Sequence, residues 1–211
     1  MIDQDGERTF IASDGAEGHV TQKDLSGITF ADFEWALLSG YALHYPNSRG
    51  ALSDWLRKDT GPLRLVFDPA PIVAALAQDV VQAALARAEW VSANLHEATI
   101  LTGCSDPTAA AKALAANRAG GAVVRNGAAG CVLCTAETCV EIPPFNVQAI
   151  DTNGAGDAHI GSFIAHLSQT GDPSGAASFA NVAAALSTTV KGPASAPTAD
   201  QIAAARRRSN L

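Results

Sequence analysis

Basic residues are scarce in this chain. Lys and Arg number 14 against 21 Asp and Glu over 211 residues, a formal net charge of −7. A nucleic-acid partner held on a basic face is thereby excluded, because that attraction needs clustered Lys and Arg. The one basic run, Arg206-Arg207-Arg208, falls near the end of a predicted terminal helix, where cations complement the helix dipole. Long apolar runs are missing too, and no stretch approaches the roughly 20 residues of a membrane-spanning helix. The opening MIDQDGERTF has neither the charge nor the apolar segment of a signal peptide, so no membrane partner and a cytoplasmic location are expected. Cysteine is limited to Cys104, Cys131, Cys134 and Cys139. The CVLC spacing suggests zinc or redox work. Positions three apart in a strand-like run point to opposite faces, however, and no second CxxC or nearby His completes a tetrahedral set. Buried, reduced thiols are expected.

Hydrophobic residues make up 47% of the chain, enough for one substantial core, and the length suits one compact α/β domain over residues 1–211. MIDQDGERTFIAS reads as two short strands around Gln4-Asp5-Gly6. WALLSGYAL reads as a buried strand, and RGALSDWLRK as a helix with Leu52, Trp55 and Leu56 at helical spacing. LRLVFDP is a buried strand stopped by Pro69, and PIVAALAQDVVQAALARA a helix opened by Pro71. EWVSANL is a strand and HEATILTG a short helix closed by Gly103. Asp106 and Pro107 open the next helix, which Gly120-Gly121 ends. Strands AVVRN, GCVLCT and CVEI follow. The last third is helical after Gly154, from Pro173, and after Thr198, where Gln201 completes a capping-box pattern. Strands alternating with helices imply a mainly parallel sheet covered on both faces, with ligands at the carboxyl ends of its strands.

DTNGAGD, residues 151–157, stands at the mouth of one such helix. A helix N-terminus leaves backbone N–H groups unpaired and carries partial positive charge. Glycines remove the Cβ atoms that would hold a phosphate away from those groups. Gly154-Ala155-Gly156 therefore reads as an anion cradle, or else as a tight loop-to-helix turn capped by Asp151. Asp157 favours the cradle. A carboxylate beside a bound anion is repelled unless it has a task, and accepting the proton of an attacking hydroxyl is that task in phosphoryl transfer. His159 and His166 share a face of the same helix, but no carboxylate at i+4 completes a metal site, so satisfied or half-exposed histidines are expected.

DTNGAGD resembles the D-T-x-G-A-G-D signature of the ribokinase/PfkB carbohydrate kinases. NLHE (94–97) is similar to the family's N-x-x-E motif, RNGAAG (125–130) to its nucleotide loop, and FANVAAALSTTVKGPASAP to its closing segment. The resemblance implies a ribokinase-like three-layer α/β/α fold with a mainly parallel central sheet, and ATP-dependent phosphoryl transfer to a sugar hydroxyl. By it, Asp157 is the catalytic base, and Gly154, Ala155 and Gly156 form the anion hole. Asn94 and Glu97 organise Mg²⁺ and the phosphates, partly through water, since Mg²⁺ keeps several waters; on spacing alone they are equally a capped short helix. Arg125, Asn126, Gly127 and Gly130 line the nucleotide, with Asn181 beside the adenosine; otherwise these are turn glycines and a helix-face amide. Asp151, Asn153, Ser187, Val190, Gly192 and Ser195 correspond to a monovalent-cation loop, a K⁺ site built mainly from carbonyl oxygens.

Family members begin with a strand and glycine-rich segments that bind the sugar, followed by the strands of a lid. The first residues here resemble the tail of that lid. Residues 1–13 are therefore expected to be a remnant of its hairpin, and the N-terminal strands and most of the lid to be absent. An apolar sheet edge would then be exposed, through which a homodimer could form. Three readings stay open: a kinase for a small-molecule sugar, a nucleoside kinase resembling adenosine kinase, and a non-catalytic remnant that binds nucleotide.

Overall fold

The computed structural model describes residues 15–58, 61–193 and 195–208, so the predicted N-terminal hairpin lies outside the described residues. Six strands form one sheet whose spatial order follows the sequence. They are β1 (Trp35–Ser39), β2 (Arg64–Asp68), β3 (Trp90–Asn94), β4 (Gly121–Arg125), β5 (Cys131–Thr135) and β6 (Cys139–Ile142). The first four pair in parallel, and β5 and β6 add antiparallel strands beyond β4. The α-helices among the described residues are α1 (Gln22–Ser26), α2 (Gly40–His44), α3 (Pro46–Leu56), α4 (Gln78–Arg87), α5 (Leu95–Thr102), α6 (Pro107–Ala115), α7 (Ala155–Thr170), α8 (Pro173–Ser187) and α9 (Ala199–Arg208).

The strand alternation sorts the core into two layers. Leu65, Phe67, Val91, Ala93 and Val124 face one side, where Leu52 and Trp55 of α3, Val80 and Ala84 of α4 and Leu114 of α6 meet them. Val66, Trp90, Val123 and Leu133 face the other, against Ile160, Phe163 and Leu167 of α7 and Ala180 of α8. Trp90 meets Phe163 edge to face at 5.1 Å. Burying a side chain such as Phe67 or Phe163 contributes roughly 1.5–3 kcal/mol, so both layers contribute to holding the sheet beneath the site. The local signals hold at several ends. Asp106 caps α6 through the Ala109 N–H at 2.7 Å. Thr198 and Gln201 form the reciprocal capping box before α9.

Four expectations are corrected. The strand in WALLSGYAL ends at Ser39, whose hydroxyl accepts from the Tyr41 N–H at 3.3 Å and starts α2; Leu37 is 50% exposed, so the strand is not fully buried. No helix opens at Pro71. The Asp68 carboxylate accepts from the Ala70 N–H at 3.1 Å, Ala70 takes φ 60, and a single 3-10 turn (Val73–Ala75) precedes α4. A side-chain oxygen competing for backbone here outweighs the helical spacing. Helix α6 stops at Ala115, not at the glycines. Gly120 lies against the Trp90 indole, where a Cβ would sit 2.3 Å from Nε1, and Gly121 opens β4. The thiols are not all reduced: Cys134 and Cys139 stand directly opposite on β5 and β6 and form a disulfide, while Cys104 and Cys131 are free. Cys131 and Cys134 do face opposite layers.

Candidate active site

Parallel pairing places the carboxyl ends of β1 to β4 on one rim. Ser39 registers with Asp68, and Asn94 with Arg125. Each strand end supplies a polar group there, as open α/β sheets do where they bind ligands. Beside Asn94, Glu97 is buried in the first turn of α5. Its carboxylate accepts from the Asn94 N–H at 2.8 Å and the Asn94 amide at 2.6 Å, and the Asn94 Oδ1 accepts from the Glu97 N–H at 2.8 Å. The N-x-x-E pair is thus a capping box whose acid is turned inward toward Arg125, with Nη2 3.5 Å from Glu97 Oε2 and 3.8 Å from Asp68 Oδ1.

Helix α7 starts over the end of β4. Gly154 is its N-cap at φ 78 and ψ 0, and no side chain caps the turn. The Ala155 and Ala158 N–H groups find the carbonyls of Thr152 and Gly154; those of Gly156 and Asp157 find no acceptor among the described residues. Two unpaired N–H groups stand at the positive end of a 16-residue helix, a geometry suited to receiving an anion. Asp157 is exposed beside them, with no hydrogen-bond partner among the described residues. Asp151 does not cap the helix. Its carboxylate accepts from the Asn153 N–H at 2.9 Å and the Gly192 N–H at 3.0 Å, tying the loop before α7 to the segment after α8.

Burial sets the electrostatics of the rim. It raises the Asp68 carboxyl, which Arg125 and the Ala70 N–H lower in part and Asp157 raises further. It also raises Glu97, against the opposing pull of the Asn94 N–H and Arg125. The Tyr41 phenol in α2 is raised by burial, then by Asp68, Glu97 and Asp157. Sequence reasoning missed Asp68 and Tyr41. The signal for Asp68 was its place at the carboxyl end of LRLVFDP; Tyr41 had none, being read as strand.

The remaining predicted residues divide. Asn126, Gly127 and Gly130 form a tight loop between β4 and β5, with the Asn126 N–H donating to the Gly130 carbonyl at 2.8 Å. Gly130 has φ 87, and a Cβ there would lie 2.2 Å from the Ile142 carbonyl oxygen. Asn181 is buried below this loop. Its amide donates to the carbonyls of Ile142 at 3.2 Å and Pro143 at 2.9 Å, and its Oδ1 pairs with His159 Nε2 at 3.2 Å. His159 is therefore a core histidine, pushed down to about 3 mainly by burial, and His166 stacks on Phe179 at 4.6 Å. In the cation loop, Ser195 donates to the Ser187 carbonyl at 2.9 Å, close to the Asp151–Gly192 tie, while Val190 is exposed. Among the described residues no three His, Cys, Asp or Glu side chains gather as a metal site, and no helix is long and apolar enough to cross a membrane.

Two unpaired helix-terminal N–H groups and an exposed carboxylate thus lie together at the carboxyl rim of an α/β sheet. The pfkB family carbohydrate kinase model matches residues 1–199, and the chain belongs to that family. Deoxyribokinase from Salmonella typhi is 35% identical over 135 residues, which cover 62% of this chain and 43% of that protein. Ribokinase from Thermotoga maritima superimposes with a TM-score of 0.81 at 23% identity, covering 98% of this chain and 67% of that one, and shares the fold. Fructokinase from Vibrio cholerae, solved with fructose, ADP and calcium, gives 0.81 at 26% identity over 96% of this chain and 71% of that one; a double mutant of it was solved with ADP and potassium. The chain spans about half the length of the curated relatives it matches.

Proposed function

We propose that the chain carries the nucleotide and phosphoryl-transfer side of an ATP-dependent sugar kinase. The observation that carries this reading is the exposed Asp157 carboxylate immediately after two unpaired helix-terminal N–H groups, at the carboxyl rim of the sheet. Asp157 accepts the proton of the attacking sugar hydroxyl. Gly154, Ala155 and Gly156 bind the phosphoryl group in flight, through preorganised donors that need no reorientation as charge develops. Asn126, Gly127 and Gly130 hold the nucleotide phosphates, and Asn181 supports that loop from below and borders the adenosine.

Asp68 and Glu97 approach the Arg125 guanidinium at 3.8 and 3.5 Å, and Asp157 acts on Asp68 across the same rim. The rim is short of positive charge before any phosphate arrives. A divalent cation fits that deficit, and without a cluster of protein ligands it would be Mg²⁺ held by phosphate oxygens and water, with Glu97 and Asn94 behind the water. A bound Mg²⁺ would supply positive charge against the phosphates. Asp151, Asn153, Ser187, Val190, Gly192 and Ser195 form a candidate K⁺ loop that would steady the cradle from behind. The Vibrio cholerae fructokinase, solved with ADP and calcium and as a double mutant with ADP and potassium, supports a nucleotide accompanied by cations on this fold.

The test pairs calorimetry with ATP·Mg and an ADP-release assay over a panel of pentoses, hexoses and nucleosides. Asp157→Asn is expected to keep nucleotide binding and to lose turnover by about 10²- to 10⁴-fold, the usual cost of removing a general base. A variant retaining more than about a third of the wild-type rate would remove Asp157 from that role. Preference for a nucleoside over every free sugar would replace the acceptor class.

A further inference from the structure

Arg125 does not have the surroundings of a structural arginine. Arg64 donates to Glu89 at 2.6 and 3.0 Å and stacks on Trp35, and Arg49 donates to the carbonyls of Leu43 and His44. Their donors are occupied by the protein. Arg125, whose side chain is 14% exposed, has its acid partners at 3.5 and 3.8 Å, beyond the roughly 2.7–2.9 Å of a well-made charge-assisted bond. Its buried Nε has no acceptor among the described residues. Its Nη1 lies against the cradle, where a Cβ on Gly156 would come within 2.6 Å of it. The glycine at 156 therefore makes room for a guanidinium as well as for a phosphate.

We propose that Arg125 supplies the positive charge that meets the phosphoryl group during transfer, and that Asp68 is the positioning residue that holds the guanidinium at the cradle. This rests on the phosphoryl-transfer reading above. A guanidinium cannot lose its proton at working pH, and its planar fork matches a phosphate edge. In a loose transition state the negative charge spreads over the equatorial oxygens, so a donor fixed beside them stabilises that state more than the bound nucleotide. Asp68 and Glu97 pull Arg125 toward the rim without consuming its hydrogen bonds. A desolvated cation left with unused donors next to two unpaired backbone N–H groups is ready to receive an anion. Asp68 carries out this positioning from β2, which explains a partly buried carboxylate at a strand end that no sugar or nucleotide motif assigns.

The experiment measures binding of ADP·Mg to the full chain with and without aluminium fluoride, whose planar complex on ADP imitates the phosphoryl group in transfer. Arg125→Met is expected to weaken the fluoride complex about 100-fold or more, the scale of losing one preorganised oxyanion donor, while ADP·Mg affinity changes less than about threefold. Arg125→Lys, which keeps the charge and loses the fork, should recover part of the loss and serves if the Met variant does not fold. Asp68→Asn should weaken the same complex by a smaller factor and leave ADP·Mg alone. Equal weakening of both complexes by Arg125→Met overturns the proposal, because a nucleotide-holding or purely structural arginine does that. Wild-type chain that binds ADP·Mg but gains nothing from fluoride overturns it too and leaves the nucleotide reading standing; failure to bind ADP·Mg at all overturns both.

Discussion

Replacing Gly154 by alanine should cost fold stability where the same change at Gly156 does not. Gly154 sits at φ 78, the left-handed region, where a Cβ costs roughly 1–2 kcal/mol. The added carbon would also stand 2.2 Å from the carbonyl oxygen of Pro193. That oxygen is backbone, next to Gly192, whose N–H the Asp151 carboxylate holds at 3.0 Å, so it cannot swing aside as a side-chain tip would. Forcing such a segment to move adds about 1–3 kcal/mol. A total of about 2–5 kcal/mol corresponds to a fall in melting temperature of about 4–20 °C for a chain of this size. At Gly156 the backbone is helical and the nearest neighbour is the tip of the Arg125 side chain, at 2.6 Å from the new Cβ, which can shift where backbone cannot. Alanine there gains helix propensity of up to about 1 kcal/mol, so the melting temperature should hold or rise while phosphate affinity falls. Thermal unfolding followed by circular dichroism, paired with ADP·Mg calorimetry, separates the two. Equal losses of melting temperature in both variants, or none in Gly154→Ala, would refute the assignment of the first glycine to backbone geometry and the second to the ligand.

K⁺ should raise the rate of phosphoryl transfer relative to a large inert cation at equal ionic strength, which holds screening comparable between arms, and Asp151→Ala should abolish the difference; indifference to K⁺ up to about 100 mM, a range over which screening by itself changes substantially, would remove the cation loop. Stability should fall on acidification because of His159. Its folded imidazole stays neutral until about pH 3, whereas the unfolded one takes a proton near 6.5, so its contribution is present above about pH 6.5 and is lost as pH falls toward 3. Urea midpoints measured from pH 7.5 down to about 4 should show a shallower acid slope in His159→Gln, and an unchanged slope would assign the acid sensitivity elsewhere.

What the sequence determined by itself was whatever depends on residues within one turn or one strand of each other. The apolar runs of β2 to β4, the capping pairs Asn94–Glu97 and Thr198–Gln201, and the small residues opening α7 all act through neighbours on the chain, and each stands where it was read. One local contact escaped the apolar pattern: the Asp68 carboxylate took the Ala70 N–H two residues on, and the helical pattern from Pro71 broke. The pairing of Cys134 with Cys139 came from the register of β5 with β6. The site divides along the same line. The cradle and Asp157 were legible because a helix N-terminus carries its own unpaired N–H groups and dipole. That Arg125 lies against Gly156, with Asp68 and Glu97 beside it, came only from the parallel register that brings the ends of β2, β3 and β4 to one rim and from the two core layers that seat α7 above it. Guanidinium and carboxylate act on one another through space at a few ångströms, and only the folded chain places residues so far apart in sequence at that distance.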